Sequence, residues 1–192
     1  MATGLILVLS AVGLMSYNFW DEKRAEDVVI EVLDELDTVA EAAQNDVAAE
    51  EISETVPEEV AAEMPVASLD SGRYVGTLEL PVLGLRLPVM NEWNYPNLRI
   101  APCRYTGTVY ENNMVIAAHN YSSHFGRLNQ LQPGDNIRFI DIDGNYFYYT
   151  VAETEIVMPT EIEKMITGDW DLTLFTCTIG GRTRVTVRCN AV

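Results

Sequence analysis

Hydrophobic and polar positions divide the chain into three stretches. From Ala2 to Trp20 no charged residue occurs, and Leu5-Ile6-Leu7-Val8-Leu9 through Met15 is apolar almost throughout. As a helix, that length just spans a bilayer. Tyr17 and Trp20 stand where interfacial aromatics anchor such a helix. A cleaved signal peptide is the competing reading, but no clear small-x-small site follows the run, which favours a retained anchor. Across residues 21–44, Val28, Val29, Val32, Leu33, Leu36, Val39, Ala40 and Ala43 recur every three to four positions. This spacing predicts an amphipathic helix, either packed on the C-terminal domain or solvated with an unpartnered stripe. Residues 45–70 are rich in Glu and Ala, carry Pro57 and Pro65, and hold no aromatic, which reads as a flexible acidic linker.

After Asp70-Ser71-Gly72 the period shortens. β-rich runs occur at Tyr74–Leu80, Leu85–Met90, Met114–Ala118, Asn136–Ile142, Tyr146–Val157, Leu172–Thr176 and Thr183–Cys189. Asp143-Gly144 separates two of them as a hairpin turn. Pro159-Thr160-Glu161-Ile162-Glu163 reads as a capping box opening a short helix that stops near Gly168. The predicted fold is mostly β, a closed barrel with short helices, preceded by a membrane helix and an acidic helical stalk. The expected divisions are residues 1–20, 21–71 and 72–192.

Charge sharpens this division. Residues 1–70 hold 17 acidic and 2 basic side chains, net −15, whereas residues 71–192 hold 12 and 10, net −2. The acidity belongs to the N-terminal third. No basic patch exists to meet phosphates, which argues against nucleic acid as a partner.

Candidate chemistry gathers at strand ends. Thr173-Leu174-Phe175-Thr176-Cys177 ends in a thiol, Val115-Ile116-Ala117-Ala118-His119-Asn120 carries a histidine just past its apolar run, and Arg182-Thr183-Arg184-Val185-Thr186-Val187-Arg188 supplies cations. A nucleophilic Cys, a proton-handling His and an Arg that stabilises an oxyanion are the parts of thiol-based acyl transfer. His124 is the alternative to His119, and Arg182 and Arg188 are alternatives to Arg184. Arg184, Thr186 and Arg188 alternate and so share one strand face. Thr176 and Asn120 are candidates for orienting the site, or ordinary strand-end polar residues. Cys103 and Cys189 read as buried thiols rather than a disulfide. Asp141-Ile142-Asp143-Gly144-Asn145 lacks the downstream Glu of a calcium loop and reads as a turn, so no metal is expected.

These segments resemble the sortases, cell-surface transpeptidases of Gram-positive bacteria. Thr173–Cys177 fits the Thr-Leu-x-Thr-Cys signature of that family. Val115 through Asp135, with Ala118-His119-Asn120, His124-Phe125-Gly126-Arg127-Leu128 and Leu131-Gln132-Pro133-Gly134-Asp135, is similar to its histidine segment. Tyr74–Val89 is similar to its opening strands, and the overall pattern looks class B-like, of clostridial type. The resemblance covers about Gly72 to Val192. It implies a sortase-type barrel with Cys177, His119 and Arg184 catalytic and no cofactor. The implied reaction cuts an LPxTG- or NPxTN-like sorting motif, forms a thioacyl intermediate on Cys177, and passes the acyl group to a cell-wall amine.

The partners so implied are surface proteins bearing a sorting signal, a cell-wall precursor amine, and the membrane through the N-terminal helix. Specificity is expected partly from the segment around Glu155–Gly168. The resemblance also implies a single-pass protein with its catalytic domain outside. Lys23-Arg24 just after the apolar run, counted alone, points the other way. Two further readings stay open: a thiol hydrolase on the same fold, and a non-catalytic surface barrel with an inert Cys177. A papain-like protease does not fit, because there the cysteine precedes the histidine.

Overall fold

The computed structural model describes residues 2–47 and 63–192. A long helix, α1 (Ala2–Val47), leads into the strands β1 (Ala67–Leu69), β2 (Gly72–Leu80), β3 (Leu85–Met90), β4 (Cys103–Thr106), β5 (Met114–Ala118), β6 (Asn136–Asp141), β7 (Tyr146–Val157), β8 (Leu172–Cys177) and β9 (Arg184–Ala191). Two short helices, α2 (Tyr95–Leu98) and α3 (Ile162–Ile166), interrupt them. The strands run in the order β1-β2-β3-β4-β5-β8-β9-β7-β6, and a further β2–β6 pairing closes β2 through β9 into a barrel.

Closure turns on a kink in β2. Tyr74 pairs with Ala67 of β1, and from Gly76 onward the same edge pairs with β6, Gly76 opposite Asp141. Gly76 sits at φ 151°, and a Cβ there would lie 2.1 Å from the Ile140 carbonyl oxygen. Glycine alone permits that approach. Inside the barrel, Leu78, Val89, Ile116, Phe125, Leu128, Ile137, Phe139, Leu174 and Val187 form the main core. A second cluster covers the outer face of β5 and β8, where Met90, Cys103, Val115, Ala117 and Phe175 meet Val32 and Leu36 of α1 and Met165 of α3.

The expected strands are present, and β3, β5 and β7 have the bounds the pattern predicts. Three elements escaped it. β1 and β4 are short, and β4 (Cys-Arg-Tyr-Thr) shows no clean alternation; α2 is a single turn opened by Asn94, whose side chain accepts from the Asn97 amide at 2.8 Å. β1 also pairs ahead of the boundary expected at Gly72. The capping box differs too. α3 starts after Glu161 with no side-chain cap, because that carboxylate accepts instead from the Met158 amide at 3.0 Å. Most of the expected acidic linker lies outside the described residues.

The two N-terminal segments form one unbroken helix. Leu5 through Met15 and Phe19 are exposed all round, whereas Asp21, Ala25, Val29, Val32 and Leu36 are buried against the barrel. The buried positions recur at four, four, three and four residues, the stripe that lays one helix face along a surface. Among the described residues, α1 is the helix long and apolar enough to cross a membrane.

Candidate active site

β5 and β8 run parallel, with Ala118 opposite Thr176, so His119 and Cys177 are the next residues at neighbouring strand ends. β8 and β9 run antiparallel, with Cys177 directly opposite Arg184. Strand neighbours lie about 5 Å apart, so two register relations bring the three groups to one edge of the barrel. The Thr176 hydroxyl donates to the Ala118 carbonyl at 2.8 Å and stitches the first pair. Thr176 is buried, Asn120 is exposed, and Cys177, His119 and Arg184 are each half-buried. All three expected candidates are thus brought together, with Thr176 beneath them and Asn120 turned to the surface.

The alternatives part from this cluster. Arg188 is buried and donates to Glu155 at 2.8 and 3.0 Å, to the Thr173 hydroxyl at 3.1 Å, and to the Met165 carbonyl at 3.2 Å. It clamps the segment carrying α3 onto the sheet. Arg182 is exposed in the β8–β9 hairpin. The Arg184 guanidinium donates to the carbonyls of Gly181 and Thr183, each at 3.1 Å, and so rests along that hairpin beside Cys177. His124 is fully buried, neither ring nitrogen has a partner, and burial pushes its pKa down to about 4.

Tight turns hold the loop after His119. The His119 carbonyl accepts from the Phe125 amide at 3.1 Å, and the Tyr121 carbonyl accepts from the Gly126 amide at 2.8 Å. A Cβ on Gly126 would meet the Asn120 and Tyr121 carbonyl oxygens at 2.6 and 2.7 Å, so the loop closes only with glycine there. Phe125 and Leu128 anchor it in the core. The His119 ring lies 4.8 Å from that of Tyr121, tilted by 33°. Burial lowers the His119 pKa, opposed by the Asp21 carboxylate and reinforced by Arg99.

Sequence reasoning missed this surrounding set. Tyr121 donates to Asp21 Oδ2 at 2.5 Å, and Asp21 also accepts from Arg99 at 3.0 Å and Arg24 at 3.2 Å. Those donors hold the Asp21 carboxyl at a pKa of about 2. The contacts join residues as much as 100 positions apart, so no local signal marks them.

The three cysteines are all free, and two are chemically quiet. Burial pushes the Cys103 and Cys189 thiols up to about 12. They belong to different clusters, Cys103 outside the barrel wall and Cys189 inside it, which explains why they do not pair. Asp141 is occupied by the turn it closes, accepting from the Asn145 amide at 2.8 Å, from the Asn145 side chain at 2.9 Å, and from the Tyr110 hydroxyl at 2.7 Å. Beside the site, Trp93 meets Tyr105 edge-on, and Tyr105 meets Phe175 likewise, each pair at 5.4 Å. Trp93, Tyr105 and Ile166 share a groove of 860 Å³ on that flank with the charged Glu92, Arg104 and Glu111.

Comparison with known proteins agrees with this fold. The Sortase domain family model matches residues 78–192. Sortase A of Bacillus anthracis is 30% identical over 122 residues, covering 60% of this chain and 58% of that relative. The chain therefore spans less than two thirds of that protein's length. Among solved structures, a Clostridium perfringens sortase D5 transpeptidase superposes with a TM-score of 0.56 at 21% identity, covering 62% of this chain and 79% of that one. A Streptococcus pneumoniae sortase C superposes with a TM-score of 0.58 at 22% identity, covering 82% and 88%. These relatives carry class A, C and D names, and none of them supports the class B-like affinity expected from the sequence.

Proposed function

Because this chain belongs to the sortase family, we propose that it is a membrane-anchored cysteine transpeptidase acting through Cys177, His119 and Arg184. The observation that carries this reading is the double register: Ala118 opposite Thr176, and Cys177 opposite Arg184. In the first half-reaction the Cys177 sulfur attacks the carbonyl carbon of the scissile peptide bond. Arg184 faces the oxygen that gains the charge, an electrostatic role that counts most where water is scarce. His119 gives a proton to the departing amine as the carbon–nitrogen bond breaks, which leaves a thioester on Cys177. In the second half an incoming amine attacks the thioester, His119 accepts its proton, and the Cys177 thiolate departs.

The substrates on this reading are a surface protein with an LPxTG- or NPxTN-like motif and a cell-wall precursor amine. Trp93, Tyr105 and Ile166 offer apolar contacts to such a motif, and Glu92, Arg104 and Glu111 in the same groove offer charged ones. Ile166 belongs to the segment from Glu155 to Gly168 expected to form part of that wall. The exposed apolar start of α1 supports a membrane anchor, and an outer-side barrel follows from the family resemblance alone.

Mass spectrometry of the full chain in detergent, with sorting-motif peptides and an amine donor, tests the reading. The expected result is a thioacyl adduct on Cys177 and a ligated product, both lost in Cys177→Ala and His119→Ala. A brief exposure to a thiol alkylator should label Cys177 well before Cys103 or Cys189. Cleaved but unligated peptide would identify a hydrolase instead. An unmodified, unreactive Cys177 would sink the catalytic reading altogether.

A further inference from the structure

The loop that carries the histidine is tied to α1, and the tie runs through the ring packed against that histidine. We propose that Asp21, acting through Tyr121, is a positioning residue for His119, so that the helix emerging from the apolar segment forms part of the active site's support. This inference rests on the role given to His119 above.

The geometry is specific. Asp21 is 7% exposed and fixed by two guanidinium groups, from Arg99 at 3.0 Å and Arg24 at 3.2 Å. Its other oxygen accepts from the Tyr121 hydroxyl at 2.5 Å. One residue later, Glu22 accepts from the Ser122 amide at 2.7 Å and also from the Ser122 hydroxyl. Two consecutive acids on α1 therefore grip two consecutive residues of the loop. Tyr121 also meets the buried His124 ring at 5.4 Å. A phenol held at its oxygen and packed against two imidazoles gives His119 a fixed surface to rest on.

The electrostatics act in the same direction. From α1 the charge beside His119 is Asp21, backed by Arg24; after α2 it is Arg99. Its own loop contributes Tyr121 and His124, and the neighbouring strand ends contribute Cys177 and Arg184. Burial disfavours imidazolium, Arg99 disfavours it further, and Asp21 opposes both. Removing the Asp21 carboxylate frees the phenol and also leaves Arg99 uncompensated, so the His119 pKa should fall further. Less imidazolium means weaker support for a Cys177 thiolate and a poorer proton donor to the leaving amine.

The test uses the full chain in lipid nanodiscs, with Asp21→Asn, Tyr121→Phe and the conservative Asp21→Glu. Two readouts are taken: kcat and KM for peptide transfer against pH, and the titration of His119 by NMR of its ring carbon. The chain has two histidines, and a His124→Gln background assigns their signals. Asp21→Asn and Tyr121→Phe should lower kcat about ten-fold at unchanged KM, the scale of a small misplacement of a reacting group. Asp21→Asn should also move the His119 titration and its limb of the pH profile to lower pH, and Asp21→Glu should restore both. If the wild type transfers peptide and both disruptive variants keep its kcat and pH limb, the inference is overturned. Should the wild type transfer nothing, the catalytic assignment fails, yet the NMR titration still decides the coupling. A lowered His119 titration in Asp21→Asn supports it, and an unchanged one overturns it.

Discussion

The two halves of α1 share one backbone and meet opposite surroundings. Residues 4–20 expose Leu5, Leu9, Met15 and Phe19 on every side, while residues 21–36 turn a single stripe, Ala25, Val29, Val32 and Leu36, into the barrel. The first half is apolar all round, and it is long and apolar enough to cross a membrane. The second half is acidic on its outer face and apolar on one stripe, the pattern of a helix that belongs to a folded domain. The change falls at Trp20-Asp21, and Asp21 is the residue that reaches Tyr121. The point where the helix leaves its apolar segment is thus also the point where it touches the histidine loop. The apolar segment and the His119 loop are neighbours in space because one continuous helix carries that segment to Asp21.

The largest test of this contrast cuts the helix at two places. A chain beginning at Asp21 should leave the membrane fraction and still unfold near the wild-type temperature. A chain beginning at residue 48 should lose about ten degrees or more in Tm, because Val29, Val32 and Leu36 each contribute about 1.5–3 kcal/mol by burying apolar surface against the barrel. Thermal unfolding followed by circular dichroism separates the two. Equal melting temperatures for both truncations would mean that the second half merely lies against the domain.

How much of this could be read beforehand depends on the range of each signal. The barrel strands carry period-two patterns within a few residues, so β3, β5 and β7 are visible in the sequence. The stripe of α1 is local as well, and Val32 and Leu36 are visible from their spacing. Cys177 and His119 stand out because each ends an apolar run. What the sequence does not disclose is where the stripe docks. Asp21 and Tyr121 lie 100 residues apart, and nothing in either neighbourhood announces the other. Arg184 and Arg188 illustrate the same limit. They share a strand face, and only the path of α3 across that face shows that Arg188 is consumed by Glu155, Thr173 and two carbonyls.

Within the docked half, single substitutions sharpen the comparison. Leu36→Ala should destabilise the chain by about 2–3 kcal/mol, since the cavity it leaves is walled by the outer cluster. Leu7→Ala, in the exposed half, should leave the unfolding of the barrel unchanged. Denaturant unfolding of the pair checks both, and equal effects would remove the distinction between the halves.

Acid should act on the same contact. The Asp21 pKa is lowered to about 2 from an ordinary 3.8, so this carboxylate stabilises the docked state above its unfolded pKa. That contribution is lost as pH falls from about 4 toward 2, through protonation of Asp21. Asp37 is lowered in the same direction by Arg86, so both ends of the docked stretch weaken together. Hydrogen exchange of the 119–126 loop should accelerate across that window in the wild type, and less so in Asp21→Asn, which has no carboxylate to titrate. A loop whose exchange ignores this window would be held by something other than Asp21.

The smallest effect belongs to the far end of the docked stretch, and its size discriminates between two kinds of ion pair on one helix. Arg86 donates to both Asp37 oxygens, at 2.5 and 2.8 Å, a forked geometry more complete than any single contact of Asp21. Yet the Asp37 and Arg86 side chains are 50% and 39% exposed, whereas Asp21 is only 10% exposed although its partner Arg99 is 49% exposed. Water and salt screen the first pair at both ends and the second at the guanidinium alone, and the contact of Asp21 with the uncharged Tyr121 hydroxyl escapes ionic screening. Asp37→Ala should therefore cost at most about 1 kcal/mol, shrinking further at high salt, and should leave peptide transfer at the wild-type rate. Urea unfolding of Asp37→Ala at low and high salt, set beside Asp21→Ala, gives the comparison directly. A larger, salt-insensitive loss at Asp37 would mean that the outer end of the helix, and not the Asp21 contact, fixes α1 on the barrel.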